Sequence, residues 1–185
     1  KKEGEIIPLT AETGGINFMI IDSSALTEQV VDDAIESGFY SAGQRCSALR
    51  ILAIQEEVYE KTIKMLIGAT KKIKVGLPYL LSTDIGPVID QEAKDRINNH
   101  IQSFSGKVLV RTPISKENNG FYVSPTIIEI DNLFEVKEEI FGPVIHIYKY
   151  KADKIEQLVS DINKMNYGLT LGIQSRIENT INYIF

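Results

Sequence analysis

The chain is 185 residues long and 43% hydrophobic, enough to bury one ordinary core, and 25 acidic against 20 basic residues give it a net charge of −5. The bases are scattered apart from "KKIK" at 71 to 74, which excludes a phosphate backbone as the expected partner. A single cysteine rules out an internal disulfide, the two histidines stand alone at 100 and 146 without metal-ligand spacing, and no apolar run approaches the roughly 20 residues of a membrane span.

The lead-in "KKEGEIIPL" lacks the basic-then-apolar profile of a signal peptide, so the expectation is a soluble, cytoplasmic protein that is not integral to a membrane. The chain starts at Lys1 and stops at Phe185 inside "RIENTINYIF", a helical pattern with no stop signal, which reads as a piece of something longer. "INFMII" (16 to 21) predicts a buried strand, and "DSSALTEQVVDDAIESGFYSAG" predicts a helix with Ser or Thr at its cap and Gly43 just past its end. "ALRILAIQ" (48 to 55) is the next strand, which leaves Cys46 in the short connection before it. Apolar residues at helical spacing predict a helix from Glu57 to about Lys74, closed by Gly76 and Pro78. Ile89, Ala93, Ile97, Ile101 and Phe104 form the stripe of a third.

"KVLV" (107 to 110) and "FYVSPTIIEI" (121 to 130) read as strands, with Pro125 favouring an edge or a bulge. "VIHIYKY" (144 to 150) is a strand, "DKIEQLVSDINKM" (153 to 165) a helix, and "LTLGIQS" (169 to 175) a last strand before the terminal helix. Alternation of this kind predicts an α/β layered domain, a largely parallel sheet flanked by helices.

Three stretches carry chemistry-bearing residues. In "SAGQRCSALR" Cys46 follows a glycine-terminated helix among small or polar neighbours, so its backbone N–H is a candidate to face a ligand, although no helix N-terminus is there to favour a thiolate. In "PLTAETGGIN" Glu12 precedes a Gly-Gly pair that lets the backbone turn sharply or approach another group closely; a solvated acid in a turn is the plainer alternative. "KEEIFGPVIHI" sets Glu139 and Phe141 before a Gly-Pro step and a strand, where a tight turn with Phe141 in the core is the alternative.

Together these stretches resemble the aldehyde dehydrogenases: "AETGG" is similar to the family's glutamate motif, "GQRC" to its cysteine motif and "EEIFGPV" to its cofactor-contact motif, in the family's order. The flanking "PLTAETGGINFMIIDSSAL", "SAGQRCSALR" and "LSTDIGPVID" resemble the branch that oxidises glutamate γ-semialdehyde, the Δ1-pyrroline-5-carboxylate dehydrogenases, and within it the dehydrogenase half of bacterial bifunctional proline-utilization enzymes. The resemblance implies the catalytic domain of that family, spanning 1–185, without its nucleotide-binding domain and C-terminal segment.

It also implies roles. Cys46 would be the nucleophile, Glu12 the general base for thioester hydrolysis, Ser47 a contact for the substrate's carboxylate, Glu139 the acceptor for the nicotinamide ribose hydroxyls and Phe141 the aromatic near the nicotinamide. The cofactor implied is NAD, bound mainly by a domain not among these residues; the partners implied are a small aldehyde, that missing domain and other subunits of an oligomeric enzyme. By itself the chain is expected neither to bind NAD tightly nor to turn over. A non-catalytic remnant or partner-binding module of the same fold, another aldehyde dehydrogenase of different substrate, and a cysteine hydrolase using His100 or His146 are the competing readings.

Overall fold

The computed structural model describes residues 7–114 and 120–185. Its elements run β1 (Asn17–Ile21), α1 (Thr27–Phe39), β2 (Leu49–Gln55), α2 (Glu56–Thr70), α3 (Gln91–Ser103), β3 (Val108–Arg111), β4 (Thr126–Ile130), β5 (Val144–Tyr150), α4 (Ile155–Lys164), β6 (Leu171–Gln174) and α5 (Glu178–Ile184). The strands form one six-stranded sheet in the order β3-β4-β5-β2-β1-β6. All its pairings are parallel except β3 with β4. The layered, largely parallel α/β class expected from the pattern of elements is what the chain adopts.

Every residue of β1 and of β2 is buried, as continuous apolar runs covered on both faces require. Helices α1 and α2 pack against each other and against the sheet. Among the described residues no helix is long and apolar enough to cross a membrane.

Local departures from the sequence reading have physical causes. Helix α1 begins at Thr27 with Leu26 in the cap position and no side-chain cap, because the polar residues before it serve the strand end instead: Asp22 accepts the Ser24 N–H at 2.7 Å. The helix stops at Phe39, and Tyr40–Gly43 continue as a 3₁₀ turn in which Ser41, Ala42 and Gly43 all take positive φ (57°, 54° and 66°). Ile89 does not join the apolar stripe; it lies outside α3 and is 80% exposed, while the Asp90 carboxylate caps the helix through Ala93 N–H at 2.8 Å. Strand β4 starts only after Pro125, so the proline precedes a strand that is interior to the sheet rather than lying within an edge.

Candidate active site

The three sequence stretches meet because each is the loop that leads into one of three neighbouring parallel strands. Glu12 to Gly15 precede β1, Cys46 precedes β2, and Glu139 to Gly142 precede β5, and these strands lie side by side as β5-β2-β1. Residues far apart along the chain are thereby gathered at the amino ends of the strands, whereas open parallel sheets more often bind ligands at the carboxyl ends.

Cys46 is exposed, in a turn closed by the Ala48 N–H on the Arg45 carbonyl at 3.1 Å. Two buried side chains hold that turn. Asn17, at the start of β1, donates its amide to the carbonyls of Cys46 (2.7 Å) and Ala48 (2.8 Å), and its carbonyl accepts the Thr170 N–H at 3.2 Å. Arg50, inside β2 and 1% exposed, donates to the carbonyls of Gly43 (2.8 Å), Arg45 (3.3 Å) and Gly142 (2.9 Å). Gly43 must be glycine for a second reason besides its φ, since a Cβ there would lie 2.1 Å from the Gly142 carbonyl oxygen. A Cβ on Gly15 would sit 3.2 Å from the Cys46 carbonyl oxygen, so the Gly-Gly pair closes tightly on the cysteine turn.

The same guanidinium reaches the Glu139 carboxylate at 3.3 Å, whose other oxygen accepts the Gly15 N–H at 3.0 Å. Arg50 thus touches the cysteine and cofactor-contact stretches directly and the glutamate stretch through Glu139. Burial pushes the Arg50 pKa down from its ordinary value and the Glu139 charge pulls it back up. The guanidinium also lies 5.5 Å from the centre of the Phe141 ring. Its Nε is buried without a partner among the described residues, a net cost of about 1–3 kcal/mol for one donor.

One open cavity of about 480 Å³ is lined by Glu12, Thr13, Gly14, Cys46, Arg96, Glu138, Glu139, Phe141 and Tyr167. Four of the five residues proposed from the sequence are therefore on a common wall. Ser47, also exposed, is not: it opens onto a hollow of about 350 Å³ on another side of the turn, with Met19, Asp33, Glu36, Ser37 and Arg45. Phe141 does not fill the core as the alternative had it; it is 43% exposed at the cavity.

The histidines pair with each other instead of with the thiol. His146 is buried, its Nδ1–H donates to the Arg50 carbonyl at 3.0 Å, and its Nε2 therefore accepts from His100 Nε2–H at 2.8 Å. Burial first, and then the His100 charge, push the His146 pKa down to about 3. Neither ring lines the cavity at Cys46. Among the described residues no group of three or more His, Cys, Asp or Glu side chains could hold a metal ion.

Sequence reasoning missed Arg50 and Asn17. The available signal was a charged residue and an amide inside runs otherwise apolar enough to be fully buried, positions that demand partners.

Residues 1–185 match the aldehyde dehydrogenase family. The chain belongs to that family. Among its relatives are the bifunctional protein PutA of Klebsiella aerogenes, 51% identical over 97% of this chain and 14% of that protein, and PutA of Rhizobium meliloti, 46% identical over 98% of this chain and 15% of that protein. A 1-pyrroline-5-carboxylate dehydrogenase from Geobacillus sp. (strain WCH70) is 34% identical over 90% of this chain and 32% of the relative. A crystal structure of a bifunctional proline utilization A protein superposes with a TM-score of 0.94 at 45% identity, covering 99% of this chain and 18% of that one. The chain thus spans less than a fifth of the PutA proteins it matches.

Aldehyde dehydrogenases typically use NAD(P). The residues present fit the nicotinamide riboside end of such a cofactor: Phe141 offers an exposed aromatic face, and the Glu139 oxygens, each with one partner among the described residues, keep a lone pair for a hydroxyl donor.

Proposed function

We propose that these residues form the cysteine-bearing catalytic portion of an NAD-dependent dehydrogenase that oxidises glutamate γ-semialdehyde, the open form of Δ1-pyrroline-5-carboxylate, to glutamate. The observation that carries the reading is the shared cavity wall of Cys46, Glu12, Glu139 and Phe141. The substrate assignment draws support from the names of the relatives, PutA and 1-pyrroline-5-carboxylate dehydrogenase.

In this reading the Cys46 thiolate adds to the aldehyde carbon, and covalent attachment divides one hard oxidation into two easier steps. The Cys46 N–H has no partner among the described residues and serves the oxyanion formed by that addition. NAD, when bound, supplies the acceptor for the two electrons lost as the sulfur-bound adduct becomes a thioester. Glu139 would accept from the ribose hydroxyls and Phe141 would pack beside the ring. Glu12, exposed and without a hydrogen-bond partner among the described residues, takes a proton from the water that hydrolyses the thioester. Ser47, the expected contact for the far carboxylate of the substrate, opens instead onto the hollow that Asp33 and Glu36 line together with Arg45, so this reading does not rest on its hydroxyl.

The test is Cys46→Ala. Alkylation by iodoacetamide, read by intact-mass spectrometry, should vanish, because no other thiol exists. Undiminished aldehyde oxidation by that variant, in a chain that also carries the family's nucleotide-binding domain, would overturn the assignment.

A further inference from the structure

A trans peptide unit points its C=O and its N–H in opposite directions, and the described chain has no cis peptide bond. The direction of an amide that bonds to nothing is therefore set by whatever holds the carbonyl one residue earlier. At Cys46 that carbonyl belongs to Arg45, and it is drawn inward by the buried Arg50 guanidinium at 3.3 Å and by the Ala48 N–H at 3.1 Å. The next peptide unit is fixed in the same manner, with the Cys46 carbonyl held by the buried Asn17 amide at 2.7 Å. The Cα of Cys46 lies between two peptide planes that are each pinned from beneath, in a turn whose preceding residues, Ser41 to Gly43, are in the left-handed region.

We propose that Arg50 and Asn17 are positioning residues for carbonyl addition at Cys46: Arg50, by holding the Arg45 carbonyl inward, directs the Cys46 N–H away from the interior, and Asn17, by holding the Cys46 carbonyl, fixes the other side of the same Cα, so that the N–H receives the developing oxyanion beside the attacking sulfur. The inference rests on Cys46 being a nucleophile toward carbonyl carbon. Two further observations favour a positioning role over mere space filling. Arg50 leaves its own Nε unpaired among the described residues, so the site is not optimised as a resting ion pair. Its guanidinium donates to backbone carbonyls in the two loops that flank the cavity, at Gly43, Arg45 and Gly142, and, among the described residues, to one side chain, that of Glu139.

The test compares two reactions at the sole cysteine of this chain, in the wild type and in Arg50→Lys and Asn17→Ser. With p-nitrophenyl acetate, a sulfur–acyl bond forms, the ester C–O bond breaks, and p-nitrophenolate leaves while the thiol proton goes to solvent; negative charge builds on the carbonyl oxygen on the way. With iodoacetamide, a sulfur–carbon bond forms and iodide leaves, with no oxyanion on the path. Each variant should lose acylation rate by about 100-fold, the cost of one oxyanion donor. Alkylation should stay within about threefold, because it follows thiolate character and exposure.

Acylation unchanged in both variants, or acylation and alkylation falling together in folded protein, overturns the positioning role alone. A wild type that is alkylated but never acylated overturns the nucleophile reading and this inference with it. Should neither variant fold, amide exchange in the wild type still decides: the Cys46 amide should exchange at nearly the unprotected rate while that of Ala48 is protected about 100-fold, a difference typical of local against structural opening. A Cys46 amide as protected as that of Ala48 would refute it.

Discussion

The two ends of the central strands bury charges of opposite sign. At the carboxyl end the buried charge is Asp22, which takes the Ser24 N–H (2.7 Å), the Ser24 hydroxyl (2.5 Å) and the Ser175 hydroxyl, while the Tyr150 hydroxyl donates to the Ile21 carbonyl at 3.0 Å. Those groups satisfy one another. At the amino end the buried charge is Arg50, which with the Asn17 amide gathers the carbonyls of the loops, while Cys46 and Phe141 line the cavity. The partners of the acid are side chains and an amide of its own strand end, whereas those of the cation are carbonyls of the loops that line the cavity.

The sharpest way to break the contrast is to remove the buried cation. Arg50→Met should destabilise the fold by about 3–5 kcal/mol, since Glu139 and three carbonyls lose a charged donor together. Denaturant midpoints would show it, and a loss under about 1 kcal/mol, within the range of an exposed pair, would mean the network carries no stability. Gly43→Ala comes next, at about 2 kcal/mol or more, from the left-handed φ of 66° and the 2.1 Å approach to the Gly142 carbonyl. A Gly43→Ala variant as stable as wild type would show that the turn can relax.

At the carboxyl end Asp22→Ala should cost about 1–3 kcal/mol for the donors it strands, and should leave Cys46 alkylation unchanged. A change in that rate would merge the two ends into one unit.

The smallest effect at neutral pH belongs to His146. Its folded pKa of about 3 lies below the ordinary value near 6.5, so the unfolded chain takes up a proton that the folded chain refuses. The stability it contributes is complete above about pH 6.5 and is lost as the pH falls toward 3. Urea midpoints measured between about pH 7 and 5 should drop more for the wild type than for His146→Gln, and parallel curves would contradict the shift.

Much of the layout was legible because periodicity reports burial, and burial is what the sheet and helices are for. Strand β5 falls on the seven residues the alternation marked, Val144–Tyr150. Boundaries failed where a local hydrogen bond outcompeted propensity, as when Asp22 drew Ser24 away from capping α1. The loops that line the cavity were visible as clusters of glycine, glutamate and the lone cysteine. The side chains beneath them were not, since Arg50 and Asn17 act through backbone carbonyls of other loops, and a string of residues gives no hint of which carbonyls a buried donor will reach. Ser47 illustrates the converse: adjacent in sequence to Cys46, it turns to a different hollow because consecutive residues of a turn diverge.

Because the cavity is assembled from loops that enter three adjacent strands, alignment of the sheet and alignment of the chemistry are the same quantity. A slip of β2 by one residue would carry Cys46 along by about 3.3 Å and swing Arg50 to the opposite face of the sheet. Such a chain would keep its strands, its helices and most of its bulk spectroscopic signature, yet its thiol would stand beside the wrong neighbours. Correct pairing of β2 with β1 and β5 thus works as a proofreading step, one that separates a merely folded molecule from one equipped to react.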